Sequence, residues 1–382
     1  MSLYKAIKAA SVIICIIMSF MLFGIKADAA RETASEVQYD EEMQGLYYAL
    51  PDETRQRLAD MGITSPALSE IASVSTGVIL SQAADILASC SRTPLCGAAV
   101  CIGIMLLCSM TEGFRSGLAD RRLQTVQNGI GAMSVCTTVI VPLCVTVQRT
   151  AGIIKGASGF MLLYVPMLTG LLVTAGKEVT AASYYSTMMT VGNVVSLAAS
   201  GLIVPLMNVF LALSVTAAVS PGLRFGSLCS SVYKLARWIL TFVMSVFVTV
   251  LSLKTIITSS MDNVSRRALR FAVGSFVPVV GNVLGEALTA FNGSLELLRS
   301  GAGVFVIIAS AFIILPVLLE CIVWQFSTFL LSSFSEILGL SQMTGLFNSV
   351  SKTCGMMTAL VLCVLTVFII STVMLMLAGK GG

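Results

Sequence analysis

The chain has 382 residues, of which 56% are hydrophobic and only 11% charged, with a mean hydropathy of +0.93 and a net charge of +4. Soluble domains carry about 25% charged side chains, so a water-soluble globular protein is excluded and an all-α polytopic membrane protein is implied. The small, scattered basic excess leaves no footprint for nucleic acid, and nothing alternates in the short strands of a membrane β-barrel.

Two lysines before residue 9, an apolar run from Ala9 to Gly24 and the triplet Ala27-Asp28-Ala29 form the three regions of a signal peptide over residues 1–29. The mature chain is then expected to begin at Ala30, on the extracytoplasmic side. Residues 30–93 read as an acidic, helical outer segment, since nine of the chain's 19 acidic residues lie between residues 30 and 70. Within it Pro51-Asp52-Glu53 opens a short helix that Gly62 can end in a left-handed turn. Leu68 to Ala88 follows as a helix that lies at the interface or packs on a neighbour.

Residues 94–156 read as a two-span hairpin. Its spans run from Leu95 to Met110 and from Ile130 to Val147, with Arg115, Arg121 and Arg122 in the connecting loop. The positive-inside rule places that loop in the cytoplasm, in agreement with the signal peptide. Residues 157–260 then supply an apolar stretch from Ala157 to Ala175, a break at Lys177-Glu178 and an almost uncharged run from Val179 to Ser220. That run is long enough for two spans, or for one span and a re-entrant piece. A span near Trp238 to Leu253 closes this part. Residues 261–382 add Phe271 to Leu288, Ala302 to Phe334 and Met356 to Leu377, for seven or eight spans in all. A basic loop at 224–237 and the cluster Arg266, Arg267 and Arg270 flank one apparent span, so charge counting cannot orient both.

The two later parts echo one another. Tyr164-Val165-Pro166-Met167-Leu168-Thr169-Gly170 is answered by Phe276-Val277-Pro278-Val279-Val280-Gly281, and Pro166 to Pro205 is 39 residues where Pro278 to Pro316 is 38. Gly222-Leu223 and Gly339-Leu340 follow in order, as do Ser231-Val232-Tyr233-Lys234 and Ser349-Val350-Ser351-Lys352. The pattern points to an internal duplication with helices broken or made re-entrant at Pro and Gly, and it nominates Pro166, Gly170, Pro205, Phe276, Pro278, Gly281 and Pro316 as structural or pore positions.

Catalytic chemistry has little to stand on. The chain has no histidine, no phosphate-binding G-x-x-x-x-G-K-[ST] loop and no G-x-S-x-G elbow, and no cofactor or metal set emerges. Cys90 and Cys96 could pair in an oxidising compartment, but their spacing fits no zinc site. Of the ionisable residues in apolar surroundings, Lys155, Lys254, Glu286 and Glu320, the last stands out because it follows Pro316 by one turn. An intramembrane carboxylate is an ion or proton site by default, and the competing reading is a structural pair with a basic residue or a place in a short loop between two shorter spans.

Arg267-Ala268-Leu269-Arg270-Phe271, the Gly274-to-Gly281 stretch and Ser349-Val350-Ser351-Lys352 resemble the stage III sporulation protein AE family of endospore-forming bacteria. The resemblance extends along the whole chain and is weakest in the outer segment. It implies a non-enzymatic, multi-pass subunit of the channel joining mother cell and forespore, in the mother-cell membrane around the forespore, with ring-forming proteins and a secretion-type ATPase as partners. Arg270 and Lys352 are singled out as positions of these motifs, and Lys234 as the counterpart of Lys352 in the internal echo. The alternative is an autonomous secondary transporter with a midplane site near Glu320.

Overall fold

The computed structural model describes residues 44–65, 70–71, 74–115, 121–174, 178–219, 225–247, 249–250 and 281–380. Among them there is no strand, and the chain is built from long helices. The expected signal peptide at 1–29 lies outside the described residues, as do Arg270, Phe276 and Pro278.

A helical turn at 44–48 leads into α1, Asp52–Asp60. Asp52 and Glu53 occupy its first turn, where carboxylates oppose the positive end of the helix dipole, and Pro51 precedes it in an extended conformation. Gly62 ends it as expected. With φ at 83° it lets Ile63 N–H reach back to the Leu58 carbonyl at 2.9 Å and its own N–H bond that of Ala59 at 2.9 Å, so the last carbonyls are satisfied.

The apolar helices follow: α2 (Thr76–Arg115), α3 (Arg121–Thr174), α4 (Glu178–Leu197), α5 (Val204–Val219), α6 (226–247), α7 (Gly281–Ile337) and α8 (Ser341–Lys380). A π-helical segment, Ala198–Ile203, joins α4 to α5 without a break. Five stretches among the described residues are long and apolar enough to cross a bilayer: Gly77–Thr111, Gly129–Thr174, Glu178–Val219, Gly301–Ile337 and Ser341–Val373. The protein is a multi-pass membrane protein.

The helices correct several boundaries read from the sequence. The stretches 130–147 and 157–174 are one helix, α3, whose 54 residues rise about 81 Å, and 179–219 is one run from α4 through α5 rather than two spans. The prolines do not break their helices: Pro142 and Pro166 lie inside α3, Pro94 inside α2 and Pro316 inside α7. Neighbouring side chains serve carbonyls near them, since Thr146 Oγ1 donates to the Pro142 carbonyl at 3.2 Å and Thr169 Oγ1 to that of Pro166 at 3.0 Å. The departure from regular α geometry comes just before Pro205. A proline there has no N–H for the Gly201 carbonyl, and the chain widens to i→i+5 bonding, with Val204 N–H on the Ala199 carbonyl. Nor is 224–237 a loop. The helix begins at 226, so Lys234 and Arg237 sit on α6, which removes the basic loop that could not be oriented.

Packing registers the helices. Ser335 and Thr344 share a 2.8 Å hydrogen bond across the tight turn at Gly339 (φ 73°), and further along the pair a Cβ on Gly355 would lie 2.7 Å from Gln325 Nε2; α7 and α8 are therefore antiparallel neighbours. Along α2 the thiol of Cys90 reaches the Pro316 carbonyl at 3.6 Å, and a Cβ on Gly97 would sit 3.9 Å from Trp324, so α2 runs parallel to α7. A Cβ on Gly131 of α3 would come within 2.6 Å of Cys108 Sγ and 2.7 Å of Met343 Cε, which sets α3 tightly between α2 and α8. Trp324, Tyr164, Phe305 and Phe347 are among the largest fully buried side chains.

Candidate functional site

Glu320 is the ionisable residue on which the sequence placed most weight, and the fold gives it partners from elements far apart in the chain. Thr146 Oγ1 donates to its Oε1 at 2.6 Å, and Arg149 Nη1 donates to its Oε2 at 3.3 Å. Thr146 and Arg149 stand one turn apart on α3, so a single face of that helix presents a hydroxyl and a guanidinium to one carboxylate. The Glu320 side chain is only 13% exposed while Arg149 keeps 43%. The carboxylate is thus enclosed by protein on one side and matched by a half-solvated cation on the other, the arrangement that makes a partly buried charge tolerable. This is the paired, structural reading of Glu320.

The pairing continues outward. Arg149 Nη2 lies 3.8 Å from Glu53 Oε2, and Glu53 Oε1 accepts from Arg57 Nη2 at 2.8 Å. Glu53 and Arg57 are four apart on α1, and Tyr47, whose ring centre is 6.5 Å from that of Phe305, packs the same outer segment against α7. The outer segment, α3 and α7 are joined at one place by alternating charges, with Arg149 between two carboxylates.

A second polar clasp shapes the segment between α1 and α2. Glu70 accepts the backbone N–H groups of Thr64 at 2.7 Å and Ser65 at 2.8 Å, together with the Thr64 hydroxyl at 3.2 Å. Burial works to raise the Glu70 pKa, but the hydrogen bonds from Thr64 and Ser65 outweigh it and hold the carboxyl below its ordinary value.

The other nominated residues do not gather around Glu320. Pro316 is buried one turn before it, whereas Pro166, Gly170 and Pro205 are exposed, and Lys234 and Lys352 are exposed on α6 and α8. Gly281 begins α7. Pro205 and Pro316, matched in the sequence, occupy different surroundings: the first is exposed after a π turn and the second is enclosed in mid-helix. An open cleft of about 410 Å³ separates α4 from α6, lined by residues including Thr187, Thr190, Val194, Phe242 and Val246, and it carries no charged side chain. Cys90 and Cys96 are free; six residues apart on one helix, they are separated by about 9 Å of rise, beyond the reach of a disulfide. Arg149 and Glu53 were not singled out from the sequence. The one available signal for Arg149 was an arginine at the end of an expected span, a place where such residues are common.

Comparison with known proteins bears on what such an assembly is for. Residues 70–379 match the family model described as stage III sporulation protein AE. The chain is 20% identical over 201 residues to the stage III sporulation protein AE of Bacillus subtilis (strain 168), a match that covers 53% of this chain and 50% of that relative. The aligned part thus spans about half the length of the curated relative. No solved structure matches.

Proposed function

Since the chain belongs to the stage III sporulation protein AE family, we propose that it serves as a non-enzymatic, multi-spanning subunit of a channel between mother cell and forespore. In this reading it sits in the mother-cell membrane around the forespore with its N-terminal segment extracytoplasmic. Ring-forming subunits and a secretion-type ATPase assemble around it, and the ATPase supplies the energy that this chain has no nucleotide loop to harvest.

The observation that carries the reading is the engagement of Glu320. A transporter site needs a carboxylate free to bind and release its ion, and this one is held by Thr146 and Arg149 and tied through Glu53 to the outer segment. Such a contact fastens three elements of a scaffold. The test is affinity purification of the full-length chain from sporulating cells. Co-recovery of ring-forming proteins and an ATPase is expected, and a protein recovered alone would overturn the proposal. Glu320→Gln keeps the oxygen that accepts from Thr146, so sporulation is expected to persist; its loss in a variant that folds and accumulates normally would favour an ion-coupled site.

A further inference from the structure

The bundle presents two kinds of surface on different sides of its α3–α7–α8 core. On one side α2 packs against α3 and α7, and the outer segment joins them through Tyr47 on Phe305 and Glu53 beside Arg149. On another, α4 and α5 pack against α3 and α8, and α5 carries α6, where Tyr233 meets Phe210 and Cys229 meets Ser214.

Helix register sets parts of the two sides at the same height. Cys90 abuts Pro316 and Gly97 abuts Trp324, so Ser81, Asp85 and Ser89 of α2 lie about 7–20 Å from the level of Glu320, away from the α7–α8 turn. The outer segment covers the same interval, since Phe305, against Tyr47, is about 22 Å from that level and Glu53 reaches Arg149 at it. On the other side, Gly192 against Met161 fixes α4 on α3, and the contacts between α5 and α6 continue the register. Val194, Leu197, Phe242 and Val246 then fall within the same interval of about 7–20 Å, while Lys234 and Arg237 stand within about 5 Å of the height of Arg149.

Within that interval the two surfaces differ in charge. The outer helix α1 bears Asp52, Glu53, Arg55, Arg57 and Asp60, with the Asp52 side chain 96% exposed. The outermost stripe of α2 is Ser81, Asp85, Ala88 and Arg92, all exposed and spaced as one helical face. Leu80 and Leu87 are exposed as well, about a third of a turn away round the helix. Past Arg92 the same stripe becomes apolar, at Leu95, Ala99, Leu106 and Met110. The α4–α6 side has no charged residue from Val179 to Val219 or from Trp238 to Val250. There Val194, Leu197, Phe242 and Val246 are exposed, and the open cleft between α4 and α6 is lined without charge. The exposed polar residues of α4 are the uncharged Ser186, Thr190 and Asn193, and the two hydroxyls donate to carbonyls of their own helix. Between the two sides, α3 exposes both Lys155 and Leu163.

We infer that at this height the α4–α6 side faces lipid and the α1–α2 side faces water, so that the bundle is a wall between the bilayer and an aqueous lumen into which Ser81, Asp85, Ala88, Arg92 and α1 project. An uncharged helical surface with its backbone bonded internally is what hydrocarbon accepts, and charged side chains at the same depth are accommodated where they line water. The inference rests on the channel reading only for what encloses that water. A chain recovered without partners would leave the two faces as they are, so the two fail separately.

Cysteine accessibility tests the assignment. Ser81→Cys, Asp85→Cys, Val194→Cys and Val246→Cys are made singly in the full-length chain, at four positions that are all exposed on the bundle. Membranes disrupted so that both faces are open are treated with a charged, membrane-impermeant maleimide. The modified peptide is quantified by mass spectrometry, which keeps native cysteines such as Cys96 out of the reading, and each rate is divided by that of the same variant denatured. Ser89→Cys or Leu197→Cys replaces any variant that does not accumulate. The thiolate is the reacting form and arises in water rather than in hydrocarbon, so the α2 positions are expected to react at least about five-fold faster than those on α4 and α6. A smaller ratio, or the reverse order, overturns the inference, because like rates put both sides in the same surroundings.

Discussion

Arg149→Met and Glu320→Gln, made singly and together, measure how strongly α3 is fastened to α7. At the observed 3.3 Å and an effective dielectric constant of about 20, two unit charges attract by about 5 kcal/mol before any cost is counted. The carboxylate gives up most of its water to reach 13% exposure, and the guanidinium at 43% remains screened by solvent. These two effects reduce the net coupling to about 1–2 kcal/mol. Arg149→Met alone should be the more damaging single change, because it leaves Glu320 charged with only the Thr146 hydroxyl. Glu320→Gln retains an acceptor for that hydroxyl and should lose less. The assay is denaturant unfolding in detergent micelles, followed by helical circular dichroism, with the interaction energy taken from the double-mutant cycle. A coupling below about 0.3 kcal/mol would refute the argument that this pair joins the two helices.

Other consequences can be checked separately. Gly131→Ala places a methyl group against Cys108 Sγ and Met343 Cε; the methionine end can move and the cysteine less so, so a loss of about 1 kcal/mol is expected by thermal unfolding, rising to about 2–3 kcal/mol for Gly131→Ile. Gly62→Ala puts a Cβ at a φ of 83°, which should weaken the outer segment by about 1 kcal/mol, read as faster proteolysis between α1 and α2. The lowered Glu70 pKa sets a sign for pH. Its clasp on Thr64 and Ser65 contributes fully above the ordinary carboxylate pKa of about 4.3 and is lost as pH falls through the depressed folded value, so protease sensitivity of this segment should rise on acidification in the parent and be nearly pH-independent in Glu70→Gln.

Much of the architecture was legible because it is written locally. The start of α1 at Pro51-Asp52-Glu53 and its end at Gly62 depend on a few adjacent residues, and the structure has them where the capping rules place them. The prolines were a different matter. Pro166 and Pro316 looked like breaks, yet an apolar helix flanked by others keeps its backbone bonded around a proline, and the irregularity came instead as a π turn ahead of Pro205. Lys234 and Arg237 were read as a loop because charge usually marks water, whereas on α6 they stand at the height of Arg149.

By itself the sequence determined the class of the protein. Hydropathy, the scarcity of charge and the absence of histidine are properties of single residues or short windows, and they suffice for an all-α membrane protein with no evident catalytic set. Only the tertiary structure decided which groups Glu320 meets. Its partners lie 174 and 171 residues earlier in the chain, and such a contact has no local signature. It arises from the antiparallel packing of two helices, each longer than a bilayer is thick, and that register depends on close approaches such as those at Gly131 and Gly355 rather than on any pattern along one helix.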